Sequence, residues 1–336
     1  MKTKLLLLLA LSTMLFAKYD NCTFQNKHYE DICKKVVKHG VSYKYVNEFL
    51  LSYFKTQKFD EISWKYLQPS KIKYHKEKEK QANNVLVKFV PKMVTHLKEY
   101  KEVYDYAERK YGVNREIIAA ILLKETKLGK IKPTHDAFIV FNTIVVRTKP
   151  DTHRNKWLLK MGKTNMAAII EHCYKKGVKP KQCNLPSSYA GAVGIPQFMP
   201  NSFIYTDSYK GKVADLTKME DAILSAAKFL HVKAKFDILI EWDKMPNVPR
   251  VEQEWYAYAY QYDNASFCYE KSTKGTKRYN CFTKGKDELQ YMKHYVQKIM
   301  RYNNSSNYAV GVIRLAYDAH KYLKSENLTK TAPKYH

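Results

Sequence analysis

The spacing of apolar residues is helical along most of the chain, and no other feature limits the possible folds as strongly. The segment 86–110 follows this spacing, and near the C-terminus Val312, Ala316 and Ala319 mark one face of another helix. Only 11 glycines and 11 prolines interrupt the 336 residues. The apolar segment 138–146 is ambiguous, since its β-branched residues suit a strand as well as a buried helix. The sequence therefore predicts a mainly α protein.

The N-terminus has the pattern of a secretory signal peptide. Lys2 and Lys4 precede an almost uninterrupted apolar run at 5–17, which is too short to span a membrane as a helix. Cleavage is expected after Ala17, and no cysteine follows directly to accept a lipid. No later stretch is long and apolar enough to span a membrane. The sequence therefore predicts an exported, periplasmic protein without a stable membrane anchor.

Six cysteines follow the expected cleavage site, and an even count in an exported chain favours disulfides. No C-x-x-C pair and no His/Cys cluster with zinc spacing occurs, so no bound metal is expected. Free buried thiols are the alternative to disulfides. The cysteines fall into three couples that are close in sequence, so local pairing is expected: Cys22 with Cys33, Cys173 with Cys183, and Cys268 with Cys281.

The chain is strongly basic, with a formal net charge of +27. In a cytosolic protein this charge would suggest nucleic acid as the partner. An exported protein meets the anionic polymers of the cell envelope instead, and long-range attraction to them is the simpler use of the charge. The alternative is that much of the lysine only solvates exposed faces. Nucleic acid is therefore not an expected partner.

Glu125 lies on the apolar face of the predicted helix 115–128, REIIAAILLKETKL. Ile118 and Leu122 share this face because their spacing matches successive helical turns. A buried carboxylate either finds a cationic partner or keeps a raised pKa and stays protonated, as a general acid near neutral pH must. Gly129 is expected to end the helix. The alternative to a catalytic role is a salt bridge with a lysine at the helix end, namely Lys124, Lys127 or Lys130.

Two further segments carry groups that could hold a polar ligand. The stretch 187–203, SSYAGAVGIPQFMPNSF, is nearly uncharged, and its glycines would let the backbone and the Gln197 amide approach a ligand closely. The stretch 301–309, RYNNSSNYA, offers hydroxyls and amides just before the last predicted helix. Sugars bind through aromatic faces and amide hydrogen bonds, and the chain has 28 tyrosines. Together these features suggest a glycan cleft, with a plain turn as the alternative for the first stretch.

Four segments, in this order, resemble successive motifs of the lytic murein transglycosylase B family: YGVNREIIAAILLKETKLGK, SYAGAVGIPQFMPNSF, DLTKMEDAILSAAKFL and RYNNSSNYAVGVIRLA. The resemblance covers nearly the whole chain after residue 17. It implies a lysozyme-like, mostly helical catalytic fold with extra helical segments and a saccharide-binding groove. It also implies a single catalytic domain at 18–336, in which 18–85 is an N-terminal helical segment and 86–336 holds the core and the groove wall.

The resemblance assigns residues of this chain to the groove position by position. Glu125 matches the catalytic glutamate of the E-T-x-x-G motif. Phe229 stands where the family often has a tyrosine, so a hydroxyl contribution would be lost there. Contacts with the substrate are implied for Ser188, Gln197, Arg147, Tyr302, Asn303 and Tyr308.

The chemistry that the resemblance implies is that of a peptidoglycan lytic transglycosylase, with glycan strands as the partner and no cofactor. Glu125 would act as acid on the bond between N-acetylmuramic acid and N-acetylglucosamine, and then as base toward the muramoyl C6 hydroxyl. The product would carry a 1,6-anhydromuramoyl end. The alternatives are a muramidase that uses water in the same groove, and a non-catalytic murein-binding protein.

One loop departs from the family pattern. Relatives often carry an acidic, EF-hand-like loop after the Gln motif, where this chain has TDSYKGKVADL at 206–216. Lys210 and Lys212 stand within it, and Asp207 and Asp215 are its only carboxylates. Calcium needs about 6–8 oxygen ligands, commonly several from carboxylates. No structural calcium is therefore expected at this loop.

Overall fold

The computed structural model describes residues 21–52, 54–261, 268–272, 275–279 and 287–331. The predicted mainly α class is confirmed, and the segment 138–146 is helical. The predicted leader at 1–17 lies outside the described residues. Over the described ranges, the helices are all too short or too polar to cross a membrane.

The bounds of the elements are as follows, in chain order. The strands are β1 (His135–Asp136), β2 (Pro186–Ser187), β3 (Cys268–Ser272) and β4 (Gly275–Tyr279), and they pair antiparallel as β1 with β2 and β3 with β4. The α-helices are α1 (Lys27–Lys38), α2 (Tyr43–Asn47), α3 (Glu61–Tyr66), α4 (Pro69–Val87), α5 (Val90–Glu99), α6 (Lys101–Tyr111), α7 (Arg115–Thr126), α8 (Ala137–Arg147), α9 (His153–Lys175), α10 (Met219–Ala234), α11 (Val248–Gln261), α12 (Asp287–Ile299) and α13 (Ser306–Thr331).

The chain divides into two compact units, each built from two stretches of sequence. The first comprises residues up to 72 and 133–204, and the second comprises 73–132 and residues from 205 onwards. The single domain at 18–336 with an internal boundary after residue 85 stays a prediction.

The core of the first unit forms around α8, which is buried on nearly every side. Phe138, Phe141 and Ile144 are at most 1 % exposed, and they pack with residues of α1 and α9. The Asp136 carboxylate caps the helix by accepting hydrogen bonds from the Phe138 and Ile139 amides at 3.0 and 3.2 Å. The Asp136 cap favours a helix at this β-branched segment, and burial on nearly every side suits a helix that is apolar all round.

Two of the three predicted disulfides are confirmed. Cys22 bonds to Cys33 and Cys173 bonds to Cys183, with Cα–Cα distances of 5.7 and 5.9 Å. Both bridges lie in the first unit, and the second ties the end of α9 to the chain that leads into β2. The predicted pair of Cys268 with Cys281 stays a prediction, because Cys281 lies outside the described residues.

The second unit is built around α7. Its residues from Ile117 to Leu123 are all at most 1 % exposed, because α5, α6, α10 and α13 pack around it. A helix that is apolar all round must be buried in this way. At the preceding turn, the Asn114 side chain exchanges hydrogen bonds with the Ile240 backbone, which fixes the start of α7.

The end of α7 differs from the sequence expectation. The helix stops at Thr126, and Lys127 already adopts a left-handed conformation with φ of 50°, before Gly129 is reached. The Leu128 amide donates to the Leu122 carbonyl at 3.1 Å, which closes the helix. Gly129 continues the left-handed run with φ of 78°. Glu125 therefore lies in the last turn, where the packing around α7 opens.

Candidate active site

Glu125 is half-buried in the last turn of α7, directly after a fully buried stretch of that helix. Tyr308, in the first turn of α13, donates a hydrogen bond from its hydroxyl to Glu125 Oε1 at 2.6 Å. Tyr308 is itself 4 % exposed, so this hydrogen bond is shielded from water. Among the described residues, Glu125 forms no ion pair with Lys124, Lys127 or Lys130. The salt-bridge alternative is therefore wrong for the described part of the chain.

The environment of Glu125 moves its pKa into the neutral range. The pKa of Glu125 is raised from 4.5 to about 7, because burial, with a smaller contribution from the Glu79 charge, outweighs the lowering by the Tyr308 hydrogen bond and the Lys124 charge. A carboxyl group with a pKa near 7 is present in both protonation states at neutral pH. The group can therefore both donate and accept a proton there.

Tyr302 adds an aromatic surface near Glu125. Its ring packs edge-on against Phe229 with centroids 4.9 Å apart, and Phe229 packs in turn against Tyr205 at 5.3 Å. Burial and the nearby Glu125 charge hold the pKa of Tyr302 well above its usual value, so the phenol stays neutral. Asn303 is exposed in the turn that leads into α13. The second unit thus brings together Glu125, Tyr302 and Tyr308, with Asn303 next to Tyr302 in sequence.

The glycine-rich loop of the first unit is a tight hairpin, and its own side chains stabilise it by hydrogen bonds to its backbone. The Ser188 hydroxyl accepts from the Ala192 amide at 3.3 Å, and the Gln197 side-chain amide donates to the Gly194 carbonyl at 2.9 Å. Gly191 is required because it has φ of 82° and a Cβ there would meet the Phe141 ring at 2.4 Å. Gln197 also has a positive φ, 51°, which is unusual for a non-glycine residue. The loop is therefore rigid and specifically shaped, which a plain turn would not require.

Arg147 lies in the first unit, where both of its terminal guanidinium nitrogens donate to the Glu61 carboxylate. Its guanidinium also lies 4.9 Å from the centre of the Phe59 ring. Ser188, Gln197 and Arg147 thus belong to one unit, and Glu125, Tyr302, Asn303 and Tyr308 to the other. A groove that all seven line stays a prediction.

Two polar residues near Glu125, Asn83 and Glu79, were not expected from the sequence, and Lys124 was considered there only as a salt-bridge partner. Lys124 hydrogen-bonds to Asn83 of α4, and Glu79 of the same helix accepts from the Ser305 hydroxyl at 2.5 Å. The available signal was the lysine at 124, which stands beside Glu125 in an otherwise apolar helix. Asn83 and Glu79 lie in a strongly charged segment of the sequence, and only the fold brings them to α7.

The loop at 206–216 does not offer a free set of carboxylates for calcium. Asp207 accepts from the Lys110 ammonium at 2.8 Å and from the Tyr111 hydroxyl. Asp221 accepts from the amides of Tyr209 and Asp215 at 2.8 and 2.7 Å. These bonds organise the loop through protein groups, and Lys110 supplies a positive charge there. Clusters of three or more potential metal ligands are absent from the described residues.

A family model described as "Transglycosylase SLT domain" matches residues 24–317. No curated protein matches the chain.

Among solved structures, soluble lytic transglycosylase SltB1 from Pseudomonas aeruginosa is similar at 16 % identity, with 89 % of this chain and 99 % of that chain covered and a TM-score of 0.53. Escherichia coli Slt35 in complex with calcium is similar at 19 % identity, with coverages of 88 % and 94 % and a TM-score of 0.51. SltB3 from Pseudomonas aeruginosa, in complex with NAG-anhNAM-pentapeptide, is similar at 16 % identity, with coverages of 86 % and 77 % and a TM-score of 0.53. At these identities the likenesses show a shared fold.

Proposed function

The chain belongs to the transglycosylase SLT domain family, enzymes that act on peptidoglycan, and we propose that it is an exported lytic transglycosylase. It cleaves the β-1,4 bond between N-acetylmuramic acid and N-acetylglucosamine without consuming water. The single observation that carries this mechanism is the environment of Glu125, a half-buried carboxyl with a pKa of about 7 and a hydrogen bond from Tyr308. The likeness to SltB3 in complex with NAG-anhNAM-pentapeptide supports glycan strands as the substrate.

Glu125 acts first as an acid. Its Oε1 accepts from Tyr308, so the proton that reaches the glycosidic oxygen comes from Oε2. As the C1–O bond breaks, the muramoyl acetamido group assists from within the substrate, in place of the second carboxylate of ordinary glycosidases. The hydrogen bond from Tyr308 stabilises the carboxylate that this step leaves behind.

Glu125 then acts as a base. The carboxylate takes the proton from the muramoyl C6 hydroxyl while that oxygen bonds to C1 and the acetamido group is released. The product has a 1,6-anhydromuramoyl end, and Glu125 is again protonated for the next cycle. One group can perform both steps because a pKa near 7 leaves both of its protonation states accessible.

A muramidase is the second candidate, and Glu79 is the observation that favours it. Glu79 is half-buried, and its charge acts on Glu125, so two carboxylates stand in one region. Paired carboxylates allow hydrolysis with water as the acceptor. Against this role, one Glu79 oxygen already accepts from Ser305 at 2.5 Å.

Digestion of purified sacculi tests the catalytic role of Glu125. The wild type is expected to release soluble muropeptides. Glu125→Gln should still sediment with sacculi, but its rate of muropeptide release should fall by about 10²–10⁴-fold, which is the usual contribution of general acid–base catalysis to the rate. The matched control is Glu102→Gln, the same change at an exposed position of α6, which should keep full activity. If Glu125→Gln stays fully active, the acid is another residue. If wild-type protein binds sacculi but releases nothing, it is a non-catalytic murein-binding protein.

Mass analysis of the same digests separates the two enzyme candidates. Products of a transglycosylase are lighter by one water than those of a muramidase, because no water is added. Glu79→Gln should retain anhydro products if Glu125 works alone. Reducing-end products from the wild type, lost in Glu79→Gln, would establish the muramidase and the two-carboxylate mechanism.

Export to the periplasm is part of the proposal. The disulfides Cys22–Cys33 and Cys173–Cys183 support it, because such bonds persist in oxidising compartments. N-terminal sequencing of protein from a periplasmic fraction should begin at Lys18. Protein that keeps residues 1–17 and remains with the cytoplasm would contradict export.

A further inference from the structure

Lys124 is a charged residue in an otherwise apolar part of α7, directly before Glu125. Its ammonium lies 4.8 Å from the centre of the Tyr308 ring, and it hydrogen-bonds to Asn83 Oδ1. Burial lowers the pKa of Lys124, while the charges of Glu79, Glu125 and Glu252 favour its protonated form. A half-buried lysine with these partners is expected to have a specific role, because desolvating an ammonium is costly.

Asn83 connects Lys124 to the start of α13. It is 2 % exposed, accepts from Lys124, and donates through Nδ2 to the Asn307 carbonyl at 2.9 Å. The approach of α13 to this amide depends on Gly311, where a Cβ would lie 2.5 Å from the Asn83 amide atoms. Asn83 is therefore held between α7 and α13, and it fixes the residue that precedes Tyr308.

Tyr308 is consequently restrained from several directions. Lys124 contacts the face of its ring, the Asn83 bond holds the preceding carbonyl, and Ser305 Oγ accepts from the Tyr308 amide at 3.2 Å. Ser305 donates in turn to Glu79. The phenol oxygen then has one orientation, toward Glu125 Oε1.

We propose that Lys124 is a positioning residue of the reaction: through the Tyr308 ring and Asn83 it holds the phenol against Glu125, and its charge stabilises the carboxylate that acts as the base. This inference rests on the proposed function of Glu125. A cation–π contact in a partly desolvated site is strong enough to orient a ring. Among the described residues, the charged groups that act on the pKa of Glu125 are Lys124 on its own helix and Glu79 on α4, besides the hydroxyl of Tyr308 on α13. The neutral Tyr302 phenol, in the turn before α13, also lies within the influence of the Glu125 charge.

The experiment compares Lys124→Met with Lys127→Met. Lys124→Met keeps an unbranched side chain and removes the ammonium, so the carboxylate form of Glu125 loses stabilisation. The alkaline limb of the kcat/KM profile for muropeptide release should then move up by about one pH unit. Lys127 is the matched control, because its ammonium lies 5.4 Å from the Phe89 ring and not at Tyr308, and Lys127→Met should leave the limb unchanged. An unmoved or lowered limb in Lys124→Met would overturn the proposal.

A double-variant cycle with Tyr308→Phe tests whether Lys124 acts through Tyr308. The phenylalanine keeps the ring but lacks the hydroxyl that Lys124 helps to position. The upward shift caused by Lys124→Met should therefore be smaller in the Tyr308→Phe background than in the wild type. An equal shift in both backgrounds would mean that Lys124 acts by its charge alone, and the positioning role would be wrong.

A readout that does not need activity separates this inference from the proposed function. The carbon-13 signal of the Glu125 carboxyl, identified by its loss in Glu125→Gln, should titrate at higher pH in Lys124→Met than in Lys127→Met. If the wild type releases muropeptides but this titration does not move, only the role of Lys124 fails. If the titration moves while the wild type releases nothing, the interaction stands and the proposed function fails.

Discussion

Replacing Glu125 by glutamine should stabilise the fold, and the gain should depend on pH. The folded protein raises the pKa of Glu125 to about 7 from the unfolded value of 4.5. A carboxyl group with a raised folded pKa binds its proton more tightly in the folded state. Ionisation therefore destabilises the folded state progressively as pH rises from about 4.5 to about 7, and the full loss is present above pH 7.

The size of the effect follows from the shift. Each pKa unit corresponds to about 1.36 kcal/mol, so the rise from 4.5 to about 7 is equivalent to about 3 kcal/mol. Glutamine keeps an acceptor for the Tyr308 hydroxyl and carries no charge, so the variant does not lose unfolding free energy as the pH rises. The difference in unfolding free energy between Glu125→Gln and the wild type should grow by about 3 kcal/mol between pH 4 and pH 8.

Denaturant unfolding at a series of pH values measures this difference, with the disulfides intact. Glu102→Gln is again the control, because its exposed side chain meets water in both the folded and the unfolded states. If the curves of wild type and Glu125→Gln stay parallel across this pH range, burial does not destabilise the Glu125 carboxylate. Glu125 would then be ionised at neutral pH and could not serve as the general acid.

Three further predictions concern single contacts. Tyr308→Phe removes a hydrogen bond that lowers the pKa of Glu125, so the alkaline limb of muropeptide release should move to higher pH; an unmoved limb would show that the bond is not made. Replacing Cys173 and Cys183 by serine should destabilise the first unit by about 2–4 kcal/mol, measured by denaturant unfolding against the oxidised wild type. Peptide mapping without reduction should show the predicted bond between Cys268 and Cys281. Calcium or a chelator should leave the melting temperature unchanged, since Lys110 already pairs with Asp207; a marked rise with calcium would contradict this.

The parts of the fold that the sequence predicts well are those set by local patterns. Helical periodicity predicts the mainly α class, and short separations predict the two disulfides, because a loop of ten or eleven residues closes easily. Segment 138–146 was ambiguous because β-branched content and all-round burial look alike in a strand and a buried helix. The Asp136 cap, which directly precedes the helix that starts at Ala137, was the local signal that favours the helix.

The candidate site was predicted only where it depends on one segment. Glu125 could be identified from α7 alone, although that helix is apolar on nearly all faces and not only on the one that carries Glu125. Lys124, Asn83 and Glu79 could not be connected, because the bond from Asn83 to the Asn307 carbonyl joins residues 224 positions apart. The end of α7 at Thr126 was missed because glycine is the usual left-handed residue, and Lys127 adopts that conformation here.

A single carboxyl that serves as acid and then as base needs two opposing influences on its pKa. Burial alone would raise the pKa of Glu125 further, so the carboxylate left by proton donation in the first step would be poorly stabilised and that step would be slow. The Tyr308 hydrogen bond and the Lys124 charge act in the other direction, and the pKa stays at about 7. Without burial, the same two contacts would hold the group ionised, and the first step would lack its acid. The apolar packing of α7 and the polar contacts from α4 and α13 are therefore both necessary for the proposed cycle.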